Sequence, residues 1–172
     1  MVKEPDSQGI QFLYNNTESK EFVETSANIT SDLMKAIFEN HSLAIDISAL
    51  KTSDEYTFKH SVDVATLAMI IAKRLGMSSR EVYDIGIAGL LHDMGKAQIP
   101  NEILNKPGRL TDDEFQVMKS HSRLGYNILK KRNEFPPMIP LAVLQHHEKM
   151  NGTGYPLKCK ADKIVPFAKI MS

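Results

Sequence analysis

Three Ser/Thr-x-x-Glu boxes constrain the fold of this chain more than any other feature: Thr52-Ser53-Asp54-Glu55, Ser78-Ser79-Arg80-Glu81 and Thr111-Asp112-Asp113-Glu114. In such a box the hydroxyl and the Glu each satisfy an orphan backbone donor, so each marks a helix start. The first opens a helix running to Leu75, where Gly76 is a good stop. The second opens one whose apolar stretch, Ile85 to Leu91, leads straight into His92-Asp93, and the third continues to about Lys131. Upstream, Phe22, Ile29, Leu33, Ala36 and Ile37 form a helical stripe across Ser19 to Asn40, preceded by a loose lead-in over 1–17 and followed by a short helix over 43–51. Gly95 to Thr111, with Pro100, Pro107 and Gly108, reads as loop with one short turn at most. Pro136-Pro137 and Pro140 break the chain before a helix ending near His147. No strand alternation and no repeat is present. The expected fold is all-α.

The 172 residues suffice for one well-buried core, and 42% hydrophobic with 24% charged residues argues against disorder. Lys+Arg and Asp+Glu balance at 21 each, which speaks against a polymeric DNA or RNA partner and leaves open a small anionic ligand. Cys159 is the single cysteine, so no internal disulfide forms and a reducing compartment is expected. Met1 to Ile10 is polar and acidic, unlike a signal peptide, and no apolar run approaches the roughly 18 residues of a membrane span. The expected location is cytoplasmic, with no membrane partner in this chain.

The chemistry lies in adjacent pairs, His92-Asp93 and His146-His147, with single histidines at His60 and His121. Helical neighbours point about 100° apart, so adjacent ligands serve two ions or sit at a helix end. His60 aligns with Val64, Leu67 and Ile71, His121 with Met118, Gly125 and Ile128, and His146 with Ile139, Ala142 and Val143. These stripes are expected to face the core, where an imidazole needs a partner. Singly, each reads as a hydrogen-bonded core histidine. Jointly, and with Asp93, they read as ligands for more than one transition-metal ion. His41 reads as a solvated residue at a helix end. Lys96 is either a surface lysine or a donor to a phosphate oxygen. Glu148 is either a partner that orients a ligand histidine or a surface residue at a helix end. Gly154-Tyr155-Pro156 is either a plain turn or part of a base-binding surface.

Taken as an ordered series, these residues resemble the HD-GYP family of the HD phosphohydrolase superfamily, from about Asp54 to the C-terminus. The matching pieces are His60-Ser61, Leu90-Leu91-His92-Asp93-Met94-Gly95-Lys96, Lys106-Pro107-Gly108-Arg109-Leu110-Thr111, Met118-Lys119-Ser120-His121, and His146-His147-Glu148 through Pro156. The resemblance implies an HD-domain helical bundle over 51–172 with an N-terminal helical extension over 1–50. It implies hydrolysis of a cyclic dinucleotide, above all cyclic di-GMP, to a linear dinucleotide and onward to mononucleotides. Carried over by position, His60, His92, Asp93, His121, His146 and His147 match the metal ligands, with Asp93 and Lys96 in catalytic places. Lys96, Gly154, Tyr155 and Pro156 fall on the substrate side. The implied cofactors are divalent transition-metal ions, iron or manganese. Tyr56 stands where three-metal members carry Glu, so two ions are expected. The family's last ligand, an Asp, follows a segment like Phe167 to Ser172, where this chain stops, so the domain is expected to be cut at its C-terminal end, which leaves the activity of this piece open. Asn151 replaces a common Asp. The implied partner is the cyclic dinucleotide; residues 1–50, which the motifs do not explain, are expected to serve a second copy or a fused sensor or receiver domain. Two rivals stay open: a cyclic-dinucleotide or protein-binding module without catalysis, and an HD phosphohydrolase for another cyclic dinucleotide or nucleotide.

Overall fold

The computed structural model describes residues 16–39 and 56–172. Most of the lead-in, His41, the helix expected over 43–51 and the Thr52 box lie outside the described residues. Eight α-helices are described: α1 Lys20–Glu39, α2 Tyr56–Arg74, α3 Ser79–Leu91, α4 Asn101–Leu104, α5 Asp112–Lys119, α6 His121–Lys130, α7 Met138–Gln145 and α8 Pro166–Met171. Two short 3-10 helices, Met94–Gln98 and Ala161–Lys163, join them. The described residues contain no strand beyond one isolated bridge, Asn151 to Lys160, so the all-α expectation holds. None of the described helices is long and apolar enough to cross a membrane.

The chain divides into two compact units, Met1–Leu90 and Leu91–Ser172. In the first, the Ser19 hydroxyl accepts from the Phe22 amide at 3.2 Å and starts α1. Phe22, Ile29 and Ile37 are buried along that helix. Lys73 of α2 donates to the Ile37 carbonyl at 3.1 Å and lies 4.3 Å from the Phe38 ring centroid. Thus α1 is packed into this unit and is no loose appendage. Gly76, at φ +77°, ends the turn after α2, its amide bonded to the Lys73 carbonyl and the Met77 amide to that of Ala72. The Ser78 box forms as expected: the Ser78 amide donates to the Glu81 carboxylate at 2.8 Å, and the Glu81 amide donates to the Ser78 hydroxyl at 3.3 Å.

The buried face of α2 differs from the expected stripe. Ala65, Ala68, Met69 and Ala72 are buried, whereas Leu67 and Ile71 are 41% and 42% exposed. The reason is helix spacing: a Cβ on Gly89 of α3 would lie 2.6 Å from the Ala65 Cα, so this seam takes small residues only. His60, on the bulkier stripe, is exposed.

In the second unit, the Thr111 box is complete and opens α5. Lys106 bonds both Glu114 carboxylate oxygens, at 2.8 and 2.6 Å, and so ties the Pro107-Gly108 turn to that helix start. The single helix expected to reach Lys131 is instead two. The break falls at Ser120, whose hydroxyl bonds the Val117 carbonyl at 2.6 Å, and Ser122 does the same to Lys119 at 3.2 Å. Such local bonds compete with the helical ladder. The segment expected as loop after Gly95 holds one 3-10 helix and the single turn of α4.

Candidate metal centre

All but one of the expected ligands fall in the second unit. His92 and Asp93 occupy the turn just after α3, His121 is the first residue of α6, and His146 and His147 follow α7. Gly95 explains how the first of these elements meets the second. A Cβ there would strike the His121 carbonyl oxygen and the Gly125 amide, so the 3-10 helix lies directly on the α6 backbone. A Cβ on Gly125 would in turn lie 3.0 Å from the Val143 side chain of α7. Asp93, His121 and His146 are thus brought together by the close approach that Gly95 and Gly125 permit. His60 belongs to the first unit, on α2.

His121 and His146 are held by the same device. The His121 Nδ1–H donates to the Met118 carbonyl at 2.8 Å, and the His146 Nδ1–H to the Val143 carbonyl at 2.7 Å. Each bond, to a carbonyl three residues earlier, assigns the tautomer and leaves Nε2 with a bare lone pair. The two Nε2 atoms face each other at 3.2 Å. Asp93 Oδ1 lies 3.3 Å from the first and 3.8 Å from the second. Burial pushes the pKa of both rings down. Three lone pairs therefore converge among buried residues. That arrangement is repulsive by itself and suits a cation. Ligand atoms of Asp93, His121, His146 and His147 all lie within 4.8 Å of one another.

Asp93 has a second set of partners on Oδ2: Lys96 Nζ at 2.7 Å and His92 Nε2 at 3.3 Å. Burial alone pushes its carboxyl up. The hydrogen bond and charge of His92, joined by Lys96, overcome this and hold it well below the ordinary carboxylate range. Lys96 is accordingly an ion-paired residue and not a plain surface lysine. His147 is lowered to about 4, first by burial and then by His121. Its ring packs against His146 with centroids 4.1 Å apart, and Tyr155 stacks on it at 4.6 Å and 25°. Burial, with Asp93, pushes the Tyr155 phenol up to about 12.

Glu148 is not the surface residue that one of its two readings made it. It is 2% exposed and accepts three backbone N–H groups, from Leu157 at 2.6 Å, Lys158 at 3.1 Å and Cys159 at 3.1 Å. Gly154 is buried against the backbone of His147 to Lys149, where a Cβ has no room. Gln145, which the sequence reading passed over, is 5% exposed. Its amide accepts from the Val165 N–H at 2.8 Å and donates to the Lys163 carbonyl at 3.1 Å, tying α7 to the start of α8. A signal was present, since Gln145 is the one polar residue of the run Met138 to Gln145.

The family model that matches is that of the HD domain, over residues 42–172. The chain belongs to the HD domain family. Among curated relatives, it is 35% identical to the cyclic di-GMP phosphodiesterase PA4108 of Pseudomonas aeruginosa, across 84% of this chain and 35% of that protein. It is 37% identical to the 3'3'-cGAMP-specific phosphodiesterase 3 of Vibrio cholerae, across 68% of this chain and 25% of that one. The chain thus spans about a third or less of the length of these relatives. Among solved structures it is similar in fold to Bd1817, an HD-GYP-type protein from Bdellovibrio bacteriovorus, with TM-score 0.77 and 24% identity over 96% of this chain and 54% of that one. These findings bear out the HD-GYP resemblance and the helical HD fold.

Proposed function

We propose that this chain carries the HD domain, over 51–172, of a metal-dependent phosphodiesterase that opens a cyclic dinucleotide, cyclic di-GMP in the first place, to its linear form. One observation carries the reading: His121 Nε2, His146 Nε2 and Asp93 Oδ1, all on buried residues, converge within 3.8 Å of one another. His/Asp donor sets suit divalent transition metals, and the family and this cluster agree on divalent metal binding. His147 completes the cluster, while His60 and His92 join the ligand set on the strength of the resemblance. Two ions, iron or manganese, are our proposal for the number and kind. When bound, such ions supply Lewis acidity and make water a nucleophile at neutral pH.

The protein groups divide the remaining work. Neutral imidazoles at 121, 146 and 147 present lone pairs at physiological pH. Lys96 steadies Asp93 through one of its three N–H donors, and the other two serve a phosphate oxygen on which charge builds up. Gly154 shapes the turn on which Tyr155 and Pro156 line the surface for a base. Cys159 is not needed as nucleophile: burial, then Glu148, push its thiol up and away from the thiolate. We place the reaction in the cytoplasm and assign residues 1–50 as an extension for self-association or for a fused sensor domain.

The relative specific for 3'3'-cGAMP favours a second reading in which a mixed cyclic dinucleotide is the substrate. A turnover panel on the manganese- or iron-loaded protein separates the two. Linear product from cyclic di-GMP, lost in Asp93→Ala, is the expected result. Turnover unchanged in Asp93→Ala, or ligand bound with no product under metal-replete conditions, would overturn the catalytic reading.

A further inference from the structure

His147 lacks the lock that fixes its two neighbours. The rings of His121 and His146 each donate Nδ1–H to a carbonyl three residues back. Among the described residues, no hydrogen bond to the His147 ring is found. That ring lies 4.1 Å from the His146 ring and 5.1 Å from that of His121, and Tyr155 stacks on it, parallel to within 25° at 4.6 Å. Tyr155 is placed in turn by three contacts with the chain around His147. Its amide donates to the His147 carbonyl at 3.1 Å. Gly154, just before it, lies against the backbone of residues 147–149 at a distance that only glycine permits. Just after it, the buried Glu148 carboxylate gathers the amides of Leu157, Lys158 and Cys159. A carboxylate with three backbone donors is a strong, charge-assisted anchor.

We infer that Glu148 and Tyr155 are positioning residues for His147: Glu148 clamps the 152–159 turn so that the Tyr155 ring holds the His147 imidazole in its metal-binding orientation. On this account the Gly-Tyr-Pro segment serves the metal site as well as the substrate. The work is done by the face of the Tyr155 ring, so its hydroxyl is dispensable for it. The inference rests on the proposed metal site, but its first readout needs neither metal nor turnover.

The test compares Tyr155→Phe, Tyr155→Ala, Glu148→Gln and Glu148→Ala with the wild type. In metal-free protein carrying 15N-labelled histidine, the His147 ring resonances report ring-current shift and rotamer averaging. Manganese affinity is then read by calorimetry. Phe should keep the wild-type ring shift and affinity. Ala at 155 should average the His147 signals, leave those of His121 and His146 in place, and weaken one manganese site about 10- to 100-fold, the usual effect of losing a residue that orients a ligand. Glu148→Gln, which keeps one carbonyl acceptor, should fall between wild type and Glu148→Ala. If Glu148→Ala does not fold, the Tyr155 pair decides alone. Equal loss in Tyr155→Phe and Tyr155→Ala, or unchanged His147 resonances in Tyr155→Ala, would overturn the inference. Wild-type protein that shows the ring shift but binds no manganese would refute the metal site and leave the clamp standing.

Discussion

At the scale of single residues, the centre depends on where protons are absent. Two imidazoles whose Nδ1–H groups are committed to the Met118 and Val143 carbonyls have only lone pairs to offer. His146→Ala removes one of the converging donors, so the account predicts that manganese affinity falls by more than about 100-fold. That exceeds the 10- to 100-fold typical of partners that only orient a ligand. Competition against a chelating dye measures it. The inward stripes of His121 and His146 were legible because helical period alone fixes them. The stripe of His60 misled because bulk was taken for burial. On α2 the buried seam is built of Ala65, Ala68 and Ala72, which admit a close helix approach, while the larger Leu67 and Ile71 stay exposed. Glu148 was illegible for another reason: its three partners lie nine to eleven residues on, and only the folded turn brings their amides to one carboxylate.

At the scale of elements, backbone contacts set the register of the site. Gly95→Ala would push the 3-10 helix off the His121 carbonyl, and overpacking of this kind destabilises by about 1–3 kcal/mol. Urea denaturation of metal-free protein should show that loss, with weaker manganese binding beside it, since Asp93 and Lys96 flank the same turn. Gln145→Ala would strip the Val165 amide and the Lys163 carbonyl of their partner. Each such part-buried hydrogen bond contributes about 0.5–1.5 kcal/mol net. Hydrogen exchange at the Val165 amide should accelerate selectively, while the Ser78 and Thr111 caps stay protected. Those caps could be read from four residues each. The break at Ser120 could not, because Ser120 and Ser122 bend the chain through side-chain bonds that a periodic stripe does not register.

At the scale of the whole molecule, a cation that relieves the repulsion among Asp93, His121 and His146 must bind the folded state more tightly than the unfolded one. Binding at about 100 times the dissociation constant adds about 2.7 kcal/mol of stability. Thermal melts should therefore rise with added manganese and fall back with chelator, and Asp93→Ala should abolish the difference. The most direct measurement is an anaerobic titration of metal-free protein with iron(II) or manganese(II), run in parallel on wild type and Asp93→Ala. Saturable binding to the wild type that is lost in the variant is the expected result. Binding of equal strength in both, or none in either, would contradict a metal centre built on Asp93 and its histidines.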